Sequence, residues 1–243
     1  MTAGADGVHA YATIEELAAA FGLEEAQAAA LSRHADLMLA WRRGNVTALR
    51  TREEIVSTLF GDALALLDVP QLRERSGAGW LDLGAGAGVP GIPLAVAVPA
   101  AKLALLDAAA GKCAFLEAAV VAAGLGVRAA VVCARSEHHA AAGQPGREAY
   151  GVVLARAVAP LPALVELAAP LLAPGGVLLA SKTARAMHEE GPGGAAGVAE
   201  ATVPTVLDHL WLLPSCPDLA GAVVELANAD GNEYVLDTRS PVT

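Results

Sequence analysis

One run of residues constrains this chain more than any other: Leu81-Asp82-Leu83-Gly84-Ala85-Gly86-Ala87-Gly88-Val89-Pro90-Gly91. The apolar stretch Trp80–Leu83 enters a turn with glycine at every second position, and Leu94–Val98 reads as a helix over that turn. Strand, glycine turn and helix open a βαβ unit, in which a ligand approaches the backbone closely. The alternation then continues. Leu103–Leu106, Val127–Cys133, Tyr150–Ala155 and Val177–Ser181 read as strands, with helices at Lys112–Ala123 and Pro162–Leu172. Pro174, Gly175 and Gly176 are expected to end the second of these helices. The order predicts an α/β fold, a mostly parallel sheet with helices on both faces. Val206–Leu213 and Ala222–Leu226 read as closing strands, an antiparallel pair at the sheet edge.

Ahead of this unit the chain reads as helical. Thr13 and Glu16 have capping-box spacing, and Gly22 stops the first helix. A longer helix runs from about Glu24 to Arg43 with Leu31, Ala35, Met38 and Trp41 as packing residues, and Gly44 at its end. Thr51 and Glu54 form a second capping pair before Ile55, Leu59, Leu66 and Leu67, and Pro70 is expected to close that stretch. The expected division is a helical extension over residues 1–76 and a sheet domain over 77–243.

Composition excludes several classes. With 55% hydrophobic and 17% charged residues the chain has material for a sizeable core and little for long disorder. No apolar run is a good membrane span, and Met1–Tyr11 lacks the pattern of a signal peptide, so a soluble cytoplasmic protein with no membrane partner is expected. The three cysteines, Cys113, Cys133 and Cys216, match neither a zinc site nor a disulfide scaffold; they read as small apolar side chains, and no metal site is expected. The net charge of −10 argues against nonspecific binding to nucleic acid. It is unevenly spread: residues 187–243 hold nine acids against the single base Arg239, whereas Arg42, Arg43, Arg50, Arg52, Arg73 and Arg75 near the other end read either as one basic surface or as ordinary solvated side chains. By composition, Gly191–Gly197 reads as a flexible loop or lid.

Gly84, Gly86 and Gly88 form the turn, and Asp107 closes the next strand, where a carboxylate accepts both hydroxyl hydrogens of a ribose. A dinucleotide site shares this logic. Here, however, the turn is GxGxG, and Asp82 precedes it by two residues, where an acid serves the charged amino group of S-adenosylmethionine, directly or through water. That cofactor is favoured over NAD. Val89 is expected beside it, and Ser136 and Glu137, just past the third strand, are expected to read the adenine edge. Arg156 and Lys182 end the fourth and fifth strands at the functional edge of a parallel sheet, suited to a carboxylate, a phosphate or the substrate.

These residues resemble a known family, the bacterial 16S ribosomal RNA guanine-N7 methyltransferases, also called the glucose-inhibited division protein B family. The resemblance runs from about Leu31 to Leu226. It is carried by Asn45-Val46-Thr47-Ala48, by Leu81 to Ala95 with its paired prolines Pro90 and Pro93, and by Lys112-Cys113-Ala114-Phe115-Leu116. Ala155 to Leu161, Leu171 to Gly176 and Ser181-Lys182 continue it. It implies a Rossmann-like class I S-adenosylmethionine-dependent methyltransferase fold with a helical N-terminal extension. It also implies methyl transfer to one guanine of 16S rRNA in the small ribosomal subunit. By position it implies cofactor contacts at Gly84, Val89, Asp107, Ala108, Ala109, Ser136 and Glu137. Arg156 then falls at the cofactor and substrate site, with Asn45, Thr47 and Lys182 near the substrate cleft.

The chain departs from the family pattern in three places. Of a usual His-x-x-Asp, Leu59-Phe60-Gly61-Asp62 keeps only the acid, to which a substrate hydrogen bond or a packing role falls. The tail is acidic where relatives are rich in Arg and Lys, and Lys182-Thr183 stands where lysine-glycine is frequent. The acidic region keeps two other readings in play: a small-molecule methyltransferase on the same scaffold, and a noncatalytic RNA or ribosome assembly factor.

Overall fold

The computed structural model describes residues 11–181 and the strand 210–214. Gly191–Gly197, Ala222–Leu226, Lys182 and the acids assigned to residues 187–243 lie outside the described residues.

Among the described residues five α-helices precede the sheet. The Thr13 hydroxyl accepts from the Glu16 N–H at 3.1 Å and caps α1 (Ile14–Phe21), which Gly22 closes in the left-handed region. The second helix, α2 (Glu25–Ala40), ends before Gly44, because Trp41 has already turned extended and sets its ring edge-on to Phe115. Thr51 and Glu54 make the expected reciprocal cap on α3 (Arg52–Glu54). The chain continues as a π-helical stretch, Ile55–Phe60, and then as α4 (Gly61–Ala65). Pro70 opens α5 (Pro70–Glu74) instead of closing the stretch before it. The ring has no N–H to lose at a first helical position, so proline fits there.

The sheet holds β1 (Gly79–Leu83), β2 (Lys102–Asp107), β3 (Ala129–Cys133), β4 (Tyr150–Arg156), β5 (Leu172–Ser181) and β6 (Leu210–Pro214). Their spatial order is β3-β2-β1-β4-β5-β6, with β6 alone antiparallel. Between the strands run α6 (Gly91–Ala97), α7 (Ala110–Ala122), α8 (Ser136–His139) and α9 (Leu161–Ala168). Pro174, Gly175 and Gly176 do not end a helix: α9 stops at Ala168, a 3-10 turn follows, and these residues bulge within β5, where Leu172 and Val177 pair with Tyr150 and Val152.

Both faces of the sheet are buried, and the two-residue period of a strand divides them. Trp80, Leu103, Leu105, Val152, Leu154, Val177 and Leu179 point into a core shared with α1, α2, α4, α6 and α7. Their neighbours Leu81, Leu106, Val153, Ala155, Leu178 and Ala180 pack on α9. The helices before β1 and the strands therefore share one core. This is the Rossmann-like class I S-adenosylmethionine-dependent methyltransferase fold with a helical N-terminal extension. No helix among the described residues is long and apolar enough to cross a membrane.

Two of the cysteines depart from expectation, and Cys216 lies outside the described residues. Cys113, in the first turn of α7, and Cys133, the last residue of β3, form a disulfide with their Cα atoms 5.8 Å apart. Parallel pairing sets Cys133 beside Asp107, and α7 starts from the same strand end, so two residues far apart in sequence meet.

Candidate functional site

Because β1, β2 and β4 are parallel neighbours, their carboxyl ends bring the expected residues to one edge. Period-two alternation turns Asp82 to the same side as Trp80, toward α6. There its Oδ2 accepts the Gly91 N–H at 2.7 Å, and the residue is 1% exposed. Burial pushes this carboxyl up to about 7, against the opposing pull of the Gly91 bond.

The glycine loop is tied to the next strand. The Asp107 Oδ2 accepts from the Gly86 N–H at 3.0 Å and its Oδ1 from the Ala109 N–H at 2.9 Å. Ala85 N–H donates to the Leu106 carbonyl at 2.9 Å. Ala108 and Ala109 are exposed beside this carboxylate, whereas Val89 is buried in the core. Gly84 is exposed, and a Cβ there would lie 2.9 Å from Val158 Cγ2, so the segment after β4 closes directly on the loop.

Past β3, Ser136 opens α8 and donates its hydroxyl to Glu137 Oε2 at 3.0 Å. The Glu137 carboxyl is held below its usual value, first by its own backbone N–H and then by that hydroxyl. The Ala134 N–H reaches the Asp107 carbonyl at 3.1 Å, which anchors this loop to the same strand end.

At the end of β4, Arg156 pairs with Asp62 at 2.9 Å and also donates to the Thr58 carbonyl at 3.2 Å. Its other terminal nitrogen is buried and has no hydrogen-bond partner among the described residues. A buried guanidinium N–H left over in this way is suited to a carboxylate or phosphate. Arg156 also sits near enough to Asp82 to favour its charged form.

Three contributors escape the reading of the sequence. Lys112 lies 3.8 Å from Asp107 Oδ2, five residues along the chain, an offset that only the tight β2–α7 turn makes a contact. Thr58 and His34 come from the helical extension; His34 Nε2 lies 2.9 Å from the Ala87 carbonyl oxygen, and no local pattern marks that pair.

The six arginines do not form one surface. Arg73 and Arg75 donate to the Leu67 and Gly175 carbonyls, below the amino end of the sheet. Arg52 pairs with Asp36. Arg42 and Arg50 instead line a cleft of about 610 Å³ with Trp41, Asn45 and Thr47, and Arg43 stands over the Trp41 ring. This cleft follows the end of α2, which lies beside the middle and last turns of α7.

The Asp107 carboxylate, the Asp82 carboxyl and the unpartnered Arg156 nitrogen are of the chemical types that would hold hydroxyls, an ammonium and a carboxylate, a set that S-adenosylmethionine fits.

A family model for rRNA small subunit methyltransferase G matches residues 27–196. A protein called ribosomal RNA small subunit methyltransferase G from Stenotrophomonas maltophilia strain K279a is 40% identical over 172 residues, 70% of this chain and 76% of the relative. One of the same name from Desulfitobacterium hafniense strain Y51 is 39% identical over 160 residues, 65% of this chain and 64% of the relative. The match to its Frankia alni counterpart is 44% identical and spans 46% of this chain and 42% of that one. The chain therefore spans less than two thirds of some of these relatives. A solved SAM-dependent methyltransferase from Thiobacillus denitrificans, in complex with S-adenosyl-L-homocysteine, is 20% identical, with a TM-score of 0.39 over 50% of this chain and 48% of that one.

Proposed function

Because the chain belongs to the rRNA small subunit methyltransferase G family, we propose that it transfers a methyl group from S-adenosylmethionine to N7 of a guanine in 16S rRNA, within the small ribosomal subunit. The observation that carries the cofactor half of this reading is the closure of the glycine loop on Asp107. In it Gly84, Gly86 and Gly88 give the cofactor its approach, Asp107 takes the ribose, and Ala108, Ala109, Ser136 and Glu137 border the adenine. Asp82 takes the amino group.

When bound, the cofactor supplies an electrophilic methyl carbon on a sulfonium. Guanine N7 already carries a lone pair, so this chain needs no strong base. Its residues align the acceptor opposite the sulfur and exclude water. Arg156, braced by Asp62 and Thr58, orients the acceptor or the cofactor carboxylate with its unused nitrogen. Lys182 is assigned to neutralise a phosphate, and Asp62 positions Arg156.

An RNA acceptor is supported by charge at the cleft. Arg42 and Arg50 line it and Arg43 stands beside it over Trp41, in a chain of net charge −10. A phosphate backbone is the partner such a cleft attracts.

The test is transfer of labelled methyl from S-adenosylmethionine to small ribosomal subunits lacking their N7 methylation, followed by nucleoside analysis. Labelled 7-methylguanosine is expected. Intact cofactor binding with no label in RNA would overturn the acceptor and turn attention to a small molecule. Absence of transfer to either would leave a noncatalytic assembly role.

A further inference from the structure

We propose that His34 is a positioning residue for the glycine loop, acting on cofactor binding through the Ala87 carbonyl without touching the cofactor. The inference rests on the reading of that loop as the cofactor cradle.

His34 lies on α2, in the helical extension, and is fully buried. Its Nε2 is 2.9 Å from the Ala87 carbonyl oxygen. A carbonyl only accepts, so Nε2 carries the hydrogen and Nδ1 is a bare lone pair. Nδ1 is buried and has no partner among the described residues. The ring is clamped: it stacks on Phe60 at 5.4 Å with 26° between the planes and tilts against Phe115 at 6.3 Å. Burial lowers its pKa to about 4, so it stands neutral at pH 7 as a donor.

Packing alone does not account for this side chain. An aliphatic residue of similar volume would fill the same aromatic-lined hole without stranding a buried acceptor, which costs stability. What the imidazole adds is one directed hydrogen bond, and its target is chosen for effect. The Ala87 carbonyl and the Gly88 N–H belong to one peptide plane. The amide side of that plane is held by the Ala85 carbonyl at 2.7 Å, and the carbonyl side by His34. The plane turns about ψ of Ala87 and φ of Gly88; Gly88 at φ 76° makes its far end soft, and Gly86 at φ 54° frees the peptide plane just before it. Fixing it from both sides removes the rotation that would redirect the loop amides. The stack extends the coupling, because Phe60 stands between Thr58 and Asp62, which together hold Arg156. The segment that holds the arginine thus also packs against the ring that holds the loop.

The experiment uses the full chain and compares His34→Leu, which keeps bulk and loses the donor, with His34→Gln, whose amide nitrogen reaches the place of Nε2. Binding of S-adenosylmethionine is measured by calorimetry at pH 7.5, beside thermal unfolding and the split of KM and kcat. We expect His34→Leu to raise the cofactor Kd and KM about tenfold, the scale of one lost hydrogen bond, with kcat at saturation little changed. His34→Gln should restore most of the affinity. Wild-type affinity in His34→Leu, or a Gln variant no better than Leu, would overturn the inference. If His34→Leu does not fold, Gln is compared with His34→Asn, whose shorter amide does not reach Ala87; equal affinities would overturn it. Failure of the wild-type protein itself to bind the cofactor would instead sink the reading of the loop.

Discussion

The Asp82 carboxylate and the Gly91 N–H meet at 2.7 Å inside the protein, and that bond fastens the start of α6 to the end of β1. A Cβ on Gly91 would stand 2.7 Å from Asp82 Oδ2 and 2.9 Å from its Cβ, with no flexible end to give way. Gly91→Ala is therefore expected to lower unfolding stability by about 1–3 kcal/mol, the range for overpacking, and to weaken cofactor binding. Urea unfolding beside calorimetry checks both; an unchanged variant would mean that the loop yields more freely than its contacts indicate.

The same carboxyl makes cofactor binding depend on pH. Its folded value is raised from 3.8 to about 7. Its contribution to stability is thus fully present below the unfolded value and is lost as pH rises through the folded one. A cationic ligand favours the ionised form, so binding should release a proton and tighten about tenfold from pH 6 to pH 8. The ligand's own amino group titrates nearby, so Asp82→Asn is the control. If that variant keeps the same pH dependence, Asp82 is not its source.

Asp107→Ala removes the acceptors for the Gly86 and Ala109 N–H groups as well as the ribose partner. Cofactor affinity is expected to fall by about 2–3 kcal/mol, or 30- to 150-fold, the worth of hydrogen bonds to a charged group. Equal affinity in a titration would reject the ribose role.

Arg156→Ala and Asp62→Asn should differ in kind. The first removes the buried nitrogen assigned to the ligand and should cut transfer at least tenfold. The second leaves that nitrogen in place and frees an arginine that the Thr58 carbonyl still holds, so the loss should be smaller. Equal losses would mean that the pair acts as one unit; an unaltered rate in Arg156→Ala would reject its role.

For the cleft at Trp41, replacing Arg42 and Arg50 together by Ala should leave cofactor affinity alone and weaken RNA binding. The slope of log K against log salt should fall by roughly 0.7–0.9 for each phosphate that is no longer neutralised. An unchanged slope would place the RNA face elsewhere.

Much of the fold was legible because its signals are local. The glycine turn, the acid at the end of β2 and the alternating apolar strands all lie within a few residues of what they predict. The Thr51–Glu54 cap was legible for the same reason. Pro70 and the Pro174–Gly176 run misled because each is locally compatible with two outcomes. Proline suits a helix start as well as a stop, and the glycines lie in a bulge that only pairing with β4 reveals.

By itself the sequence determined the strand–turn–helix chemistry, the parallel α/β class and the residues gathered at the strand ends, since backbone periodicity and turn geometry act between near neighbours. Only the tertiary structure decided that Asp62 holds Arg156, that His34 holds Ala87, that Cys113 meets Cys133 and which arginines share a cleft. Those pairings depend on strand order and on the helices folded against the sheet, which bring together side chains that no spacing along the chain connects.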